Sequence, residues 1–191
     1  ATITPSEPVT ITNNGGSASR EFTENDSFEF TFIDQAGNSG SVTATVENID
    51  KTDPESVITS PENDGSDNTI YTNDWEGLIE GTATDNLSGL DHIELSIKRL
   101  SDGLYWNGEG WSESGEDEPR VIATGTSDWS YSLPEPTEDS YEIVSHAVDN
   151  VGNTEDSYKL TVILDKTIPE VAITLDPTTP DGGNNWYKTE P

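Results

Sequence analysis

Asp34 to Glu55 reads DQAGNSGSVTATVENIDKTDPE, and Asp149 to Glu170 reads DNVGNTEDSYKLTVILDKTIPE. Both run Asp-x-x-Gly-Asn, then a strand-like segment, then Asp-Lys-Thr-x-Pro-Glu. The pairs Asp34/Asp149, Gly37/Gly152, Asn38/Asn153, Asp50/Asp165, Lys51/Lys166, Pro54/Pro169 and Glu55/Glu170 all sit 115 residues apart. A constant offset of that size marks a repeated module. The local chemistry is a hairpin followed by an exit. Gly and Asn accept the positive φ of a tight turn. The Val- and Thr-rich segment that follows alternates as a half-buried strand does. Pro54 and Pro169, lacking an N–H, then stop the ladder. The apolar phase slips between the copies, Val42, Ala44 and Val46 standing against Tyr158, Leu160 and Val162. A one-residue bulge would absorb that slip.

Outward from this stretch, the composition favours many short strands joined by turns. Apolar residues make up only 30% of the 191-residue chain, while Thr, Ser, Gly, Asn and Asp are abundant. No window shows helical periodicity, and no apolar run is long enough to cross a bilayer. The absence of Cys and Met excludes disulfide and thiol chemistry. Eight Lys and Arg face 38 Asp and Glu, a formal net charge of −30. That argues against nucleic acid and anionic membrane as partners, since both require a basic surface. Such charge also repels itself and calls for screening or bound cations. Both suit an extracellular setting.

Residues 1–50 read as an incomplete β-module whose first strand is missing, with Phe28, Phe30 and Phe32 on one strand face. Residues 51–166 carry eight candidate strands: Ser56–Thr59, Leu78–Thr84, Ile93–Leu100, Leu104–Trp106, Val121–Thr124, Trp129–Leu133, Tyr141–Val148 and Tyr158–Leu164. Short strands with frequent turn signals predict a sandwich. Residues 60–76 and 112–119 read as solvated loops. Tyr141, Ile143, Ile93, Leu95, Ile97 and Leu160 are the expected core. Asp26-Ser27-Phe28-Glu29 recurs as Asp139-Ser140-Tyr141-Glu142, which puts Tyr141 at the place of a corner tyrosine. Residues 167–191 read as the opening strand of a further module, with Ile168–Ile173 matching Asp53–Ile58. Joined tail to head, Tyr187–Pro191 runs into Ala1–Pro5, so head-to-tail self-assembly is expected, by covalent repetition or by strand addition.

Five stretches carry a resemblance: FTFIDQAGNSGSVTATVENIDKTDP, ATDNLSGLDHIEL, SDGLYWNGEGW, VDNVGNTEDSYKLTVILDKTIP and GGNNWYKTEP. With them the chain resembles the tandem immunoglobulin-like (Big or cadherin-like) repeats of giant bacterial and archaeal cell-surface proteins. The resemblance implies an all-β fold of tandem immunoglobulin-like sandwiches. It also implies service as a stalk, adhesin shaft, filament or S-layer part, or as a spacer in a secreted enzyme. Many such proteins bind calcium between modules. The motifs specify fold far better than function.

If the strands of residues 51–166 run in immunoglobulin order, two loops meet where the chain enters the module. They are Asp85-Asn86-Leu87-Ser88-Gly89 and Asp149-Asn150-Val151-Gly152-Asn153. The linker adds Asp50 and Asp53, while Glu24 and Asp26 lie at the facing end of the preceding module. Converging carboxylates repel unless a cation holds them, and Ca²⁺ accepts six to eight oxygens in irregular geometry. The expected ligands are Asp50, Asp53, Asp85 and Asp149, with oxygens of Asn86 and Asn153 completing the set. The same Asp residues equally suit turn capping. By the repeat, Asp34 and Asp165 would serve the preceding and following sites. No EF-hand loop is present.

Trp106-Asn107-Gly108-Glu109-Gly110-Trp111 is a hairpin with an indole on each flank. Exposed, Trp106 and Trp111 would stack on sugar rings and mark a carbohydrate-binding adhesin; buried, they are cross-strand packing. The two His, His92 and His146, fall short of a zinc site. No nucleophile elbow, phosphate loop or metalloprotease motif occurs. A non-enzymatic structural repeat is the expectation. An accessory domain of a secreted hydrolase is the further alternative.

Overall fold

The computed structural model describes the chain except residues 63–66, 116–117, 156–157, 175–178, 181, 187 and 189–191. The joined segment Tyr187–Pro191 therefore lies almost wholly outside the described residues. The fold is all-β, and the described residues include no helix long and apolar enough to cross a membrane.

Three strands, β1 (Val9–Ile11), β2 (Asp26–Asp34) and β3 (Ser39–Val46), form an antiparallel sheet in that order. Alternation on β2 puts Phe28, Phe30 and Phe32 on one face. Phe30 is fully buried, Phe28 and Phe32 are half-buried, and Val42 opposite Phe30 stays 44% exposed. Arg20 lies 4.2 Å over the Phe28 ring. A cleft of about 370 Å³ opens between Ile3, Pro5, Val9, Phe32 and Val42.

Eleven further strands follow: β4 (Glu55–Ser60), β5 (Thr69–Thr72), β6 (Leu78–Thr84), β7 (Leu90–Arg99), β8 (Tyr105–Trp106), β9 (Trp111–Ser112), β10 (Val121–Ile122), β11 (Thr124–Gly125), β12 (Asp128–Ser132), β13 (Asp139–Asp149) and β14 (Tyr158–Leu164). One sheet has the order β5-β14-β13-β7-β8-β9, with β10 also on β7; the other is β11-β12-β6-β4. This is an immunoglobulin-like arrangement of two facing sheets, the chain crossing between them at each step from β4 to β7, then from β10 to β11 and from β12 to β13. The shared core holds Ile58, Ile79, Ala83 and Trp129 from one sheet and Ile93, Leu95, Ile97, Tyr141, Ile143 and Leu160 from the other. All six residues expected in the core are 0% exposed. Tyr141 is a corner tyrosine: its hydroxyl donates to the Thr137 carbonyl at 2.9 Å.

One expectation about the strands needs correction. Residues 60–76 are not only loop, because β5 lies within them and pairs in parallel with β14. Polar alternation hid it: Thr69, Tyr71 and Thr72 offer little hydrophobic signal. The phase slip is the expected one-residue bulge. In the first copy the Asp34–Asn38 turn and the β2–β3 ladder keep a single register. In the second copy Val148 pairs with Thr154 but Ser145 with Tyr158, three steps on β13 against four on the partner strand, and that one extra residue reverses the alternation.

Trp106 and Trp111 pair across the β8–β9 hairpin with ring centroids 5.6 Å apart. Trp106 is only 8% exposed, and its indole N–H donates to the Tyr131 hydroxyl at 2.7 Å on the opposite sheet. Trp111 is half-buried, 5.9 Å from Tyr141 and capped by the Arg99 guanidinium at 4.5 Å. Of the two readings, sugar-stacking surface or cross-strand packing, the rings take the second and are drawn into the sandwich. The cause is the joint burial of apolar area by rings from facing sheets.

Candidate functional site

The Asp-x-x-Gly-Asn turn builds the same cradle twice. Asp149 Oδ1 accepts the N–H groups of Val151 (3.0 Å) and Asn153 (2.7 Å), and Oδ2 accepts the Asn153 side-chain amide at 2.7 Å. Asp34 Oδ1 accepts from Ala36 and Asn38, both at 2.8 Å, and Oδ2 from the Asn38 amide at 2.7 Å. Gly37 and Gly152 supply the positive φ, 90° and 93°, that closes each turn. These donors stabilise the ionised form. The Asn38 amide thus holds Asp34 below the usual carboxylate range. At Asp149 burial opposes the charge, yet the N–H groups of Asn153 and Val151 outweigh it and the pKa is lowered.

The linker has a repeated device as well. Asp50 Oδ1 accepts the Thr52 N–H at 2.9 Å, as Asp165 Oδ1 accepts that of Thr167 at 2.9 Å. The preceding turn fixes the linker from the other side. Asn25 exchanges two hydrogen bonds with Ile49, at 3.0 and 2.8 Å. Glu138, which holds the place of Asn25 in the next module, accepts from the Lys166 N–H at 2.5 Å and the Thr167 hydroxyl at 3.1 Å.

At the end of the sandwich where the linker arrives, Asp50, Asp85 and Asp149 come together, with one carboxylate oxygen from each within 4.8 Å of the others. Asp85 opens the turn after β6, Asp149 ends β13, and Asp50 is the linker residue. The turn after β6 donates to the linker, since the Ser88 N–H reaches Asp50 Oδ2 at 2.8 Å. Asp85 Oδ2 accepts from Leu87 (3.0 Å) and Gly89 (2.6 Å) within its own turn. Its other oxygen, Oδ1, is shut off from solvent with no hydrogen-bond partner. The Thr52 N–H leads the groups that lower the Asp50 pKa, and the Asp149 charge pulls against them. Asp149 is 2% exposed.

Asn150 and Asn153 brace the site. The Asn150 amide donates to the carbonyls of Ser88 (2.9 Å) and Gly89 (3.0 Å), joining the two loops. The Asn153 amide reaches the Thr52 carbonyl at 3.3 Å, joining loop and linker. Asn153, expected as an oxygen ligand, enters chiefly through its nitrogen. Asp53 stands outside the group and is exposed. Glu24 and Asp26 are exposed and also outside the group, and Asn86 is exposed.

Sequence reading missed Asn150, Ser88 and Glu155. Glu155 ties the loop after β13 to β4: it accepts from the Ser56 N–H at 2.6 Å, the Ala147 N–H at 2.8 Å and the Ser56 hydroxyl. The change from Gln35 to Asn150 between the two turns is the sequence signal that hinted at any of this.

The donor set is three carboxylates with no imidazole or thiolate, so it suits a hard cation that takes oxygen ligands. Among the described residues no ion pair compensates these three close acidic groups, one of which has a buried orphan oxygen. Ca²⁺ fits the residues present.

No protein-family model matches the chain, and no curated protein does. Among solved structures it is similar to the fibronectin(III)-like modules of Clostridium thermocellum CbhA, with TM-score 0.39, 14% identity, 91% of this chain and 88% of that chain covered. It is also similar to CopC from Methylosinus trichosporium OB3b, with TM-score 0.36, 15% identity, 60% and 100% covered. At these values the likeness carries nothing about activity or ligand.

Proposed function

We propose that this chain is a non-catalytic spacer segment of an extracellular cell-surface shaft, stalk or filament, stiffened where its modules join by a calcium ion. Asp50, Asp85 and Asp149 would hold the ion, and the ion would supply the positive charge that these carboxylates lack. The observation that carries the reading is the position of Asp50. A linker carboxylate is bonded into the loop end of the sandwich beside a buried, unpartnered Asp85 oxygen. A cation there ties the linker to the module it enters, while Asn25 already ties the same linker to the module it leaves. Its partners are the neighbouring modules of the same protein. The net charge of −30 supports an ion-rich setting outside the cell and gives no footing for nucleic acid. The carbohydrate-binding alternative loses its surface, since Trp106 and Trp111 pack inward.

Calorimetric titration with Ca²⁺, paired with small-angle scattering in Ca²⁺ and in chelator, tests the reading. Saturable binding with a narrower range of inter-module orientations is expected. No heat, together with identical scattering curves, would rule the calcium joint out.

A further inference from the structure

Glu155 stands outside the group of three carboxylates, yet its side chain reaches the root of every stretch that carries one of them. Its Oε1 accepts the Ala147 N–H at 2.8 Å, and Ala147 stands two residues before Asp149. Its Oε2 accepts the Ser56 N–H at 2.6 Å, while Oε1 also takes the Ser56 hydroxyl. Ser56 follows Asp50 by six residues along the linker and β4. It pairs across the sheet with Ala83, which stands two residues before Asp85. Ser56, Ala83 and Ala147 are all buried, so these ties lie inside the sandwich. The fully buried Ser145 hydroxyl joins that of Ser56 at 2.7 Å and extends the network across both sheets.

The bulge in the second copy gives Glu155 this reach. An unbroken antiparallel ladder hands each inward N–H to a carbonyl of the facing strand. Here the Ala147 N–H goes to the Glu155 carboxylate, while the Glu155 N–H still meets the Ala147 carbonyl at 3.4 Å. A bulge frees a ladder group in this way and re-aims a side chain. The first copy has Gly40 at the matching place, 115 residues earlier, and its ladder runs through in one register. Two residues before Glu155, the Asn153 amide grips the Thr52 carbonyl, so the same loop holds the linker at two points.

We propose that Glu155 is the positioning residue of the calcium joint: by fixing Ser56 and Ala147 it sets the spacing of Asp50, Asp85 and Asp149 before a cation arrives. This rests on the calcium reading of that site and adds the group that governs its affinity. Three like charges drift apart unless the backbone beneath them is held. Glu155 holds it with three hydrogen bonds to one carboxylate, the stronger kind when the acceptor is charged. A site gathered in advance spends less of the binding energy on ordering its ligands. The coupling runs both ways, so a bound cation also steadies Ser56 and Ala147.

Calorimetric titration with Ca²⁺ tests this, at a temperature where each variant is folded by circular dichroism. Glu155→Ala should bind about tenfold more weakly than the wild type, the scale of a lost outer support. Glu155→Gln loses the same charge but keeps an acceptor oxygen of the same reach, so its affinity should lie between the two. Exchange of the Ser56 and Ala147 amides should slow when calcium is added to the wild type. Wild-type affinity in Glu155→Ala would overturn the positioning role and leave the calcium reading standing. Equal weakening in both variants would also overturn it, since the loss would then follow charge alone. Should Glu155→Ala not fold, the wild-type amides decide, and unchanged exchange at Ser56 and Ala147 on calcium addition sinks the proposal. A wild type that binds no calcium removes the calcium reading and this role together.

Discussion

The backbone N–H of Ser88 donates to Asp50 Oδ2 at 2.8 Å, across 38 residues of sequence. The bond fixes a linker carboxylate onto a loop of the sandwich that the linker enters. It is also what brings Asp50 to Asp85 and Asp149. A flexible tether would leave that carboxylate in water. The seat of the linker on the sandwich is therefore written into the turn after β6, and its properties can be tested residue by residue.

Asp85→Asn should affect the protein in opposite directions with and without calcium. In chelator, the melting temperature should hold or rise, because the change removes one of three close negative charges and replaces a buried orphan oxygen. In Ca²⁺ the variant should lose the stabilisation that ligand binding gives the native state. Its affinity should fall by about 10- to 100-fold, the scale on which disturbed metal sites respond. Equal melting shifts on calcium addition in both proteins would refute the assignment of Asp85 as a ligand.

Acid should weaken the loop end. Buried Asp149 is pulled below its ordinary value of 3.8 by the N–H groups of Asn153 and Val151, and the Thr52 N–H acts likewise on Asp50. A carboxyl whose folded pKa is depressed contributes stability above the unfolded pKa and loses it as pH falls through the folded one. Chemical denaturation in chelator should therefore show stability dropping as pH falls below about 4, the ordinary carboxylate range. Asp149→Asn should flatten that drop. An unchanged acid profile in the variant would show that Asp149 is not responsible.

Asn150→Ala should cut the tie between the two loops. It removes amide donors to the Ser88 and Gly89 carbonyls. The expected cost is about 1–2 kcal/mol in denaturant unfolding, the scale of lost neutral hydrogen bonds. Amide exchange should quicken in residues 85–89 while β7 and β13 stay protected. Uniform loss of protection would mean that Asn150 supports the whole sandwich rather than its end.

Leu95→Ala should cost about 2–5 kcal/mol, because Leu95 is fully buried in the shared core and the vacated space cannot collapse. Tyr141→Phe should cost about 1–2 kcal/mol by stripping the Thr137 carbonyl of its hydroxyl donor. If the tyrosine variant lost as much as the leucine one, the corner hydrogen bond would be holding far more than its local turn.

The repeat, the strands and the core faces were legible in the sequence because each is encoded within a few residues. Alternation on β7 and β13 placed Ile93, Leu95, Ile97, Tyr141 and Ile143 inward, and the Asp-x-x-Gly-Asn turn announced the cradle that both Asp34 and Asp149 occupy. The convergence of Asp50, Asp85 and Asp149 could be argued from strand order alone, since that order brings the two loops to one end. The tertiary structure decided the rest. It turned Asp53 to the outside, used the Asn153 amide nitrogen as a brace, folded Trp106 and Trp111 inward, and found in Thr69–Thr72 a strand that pairs in parallel with β14. It also seated Trp129 in the space that Gly81 leaves, where a Cβ would lie 2.1 Å from the indole. Each of these depends on groups brought together when one sheet closes on the other. Turn chemistry and alternation are local, but the direction of a side chain at a junction depends on which distant backbone offers it a partner.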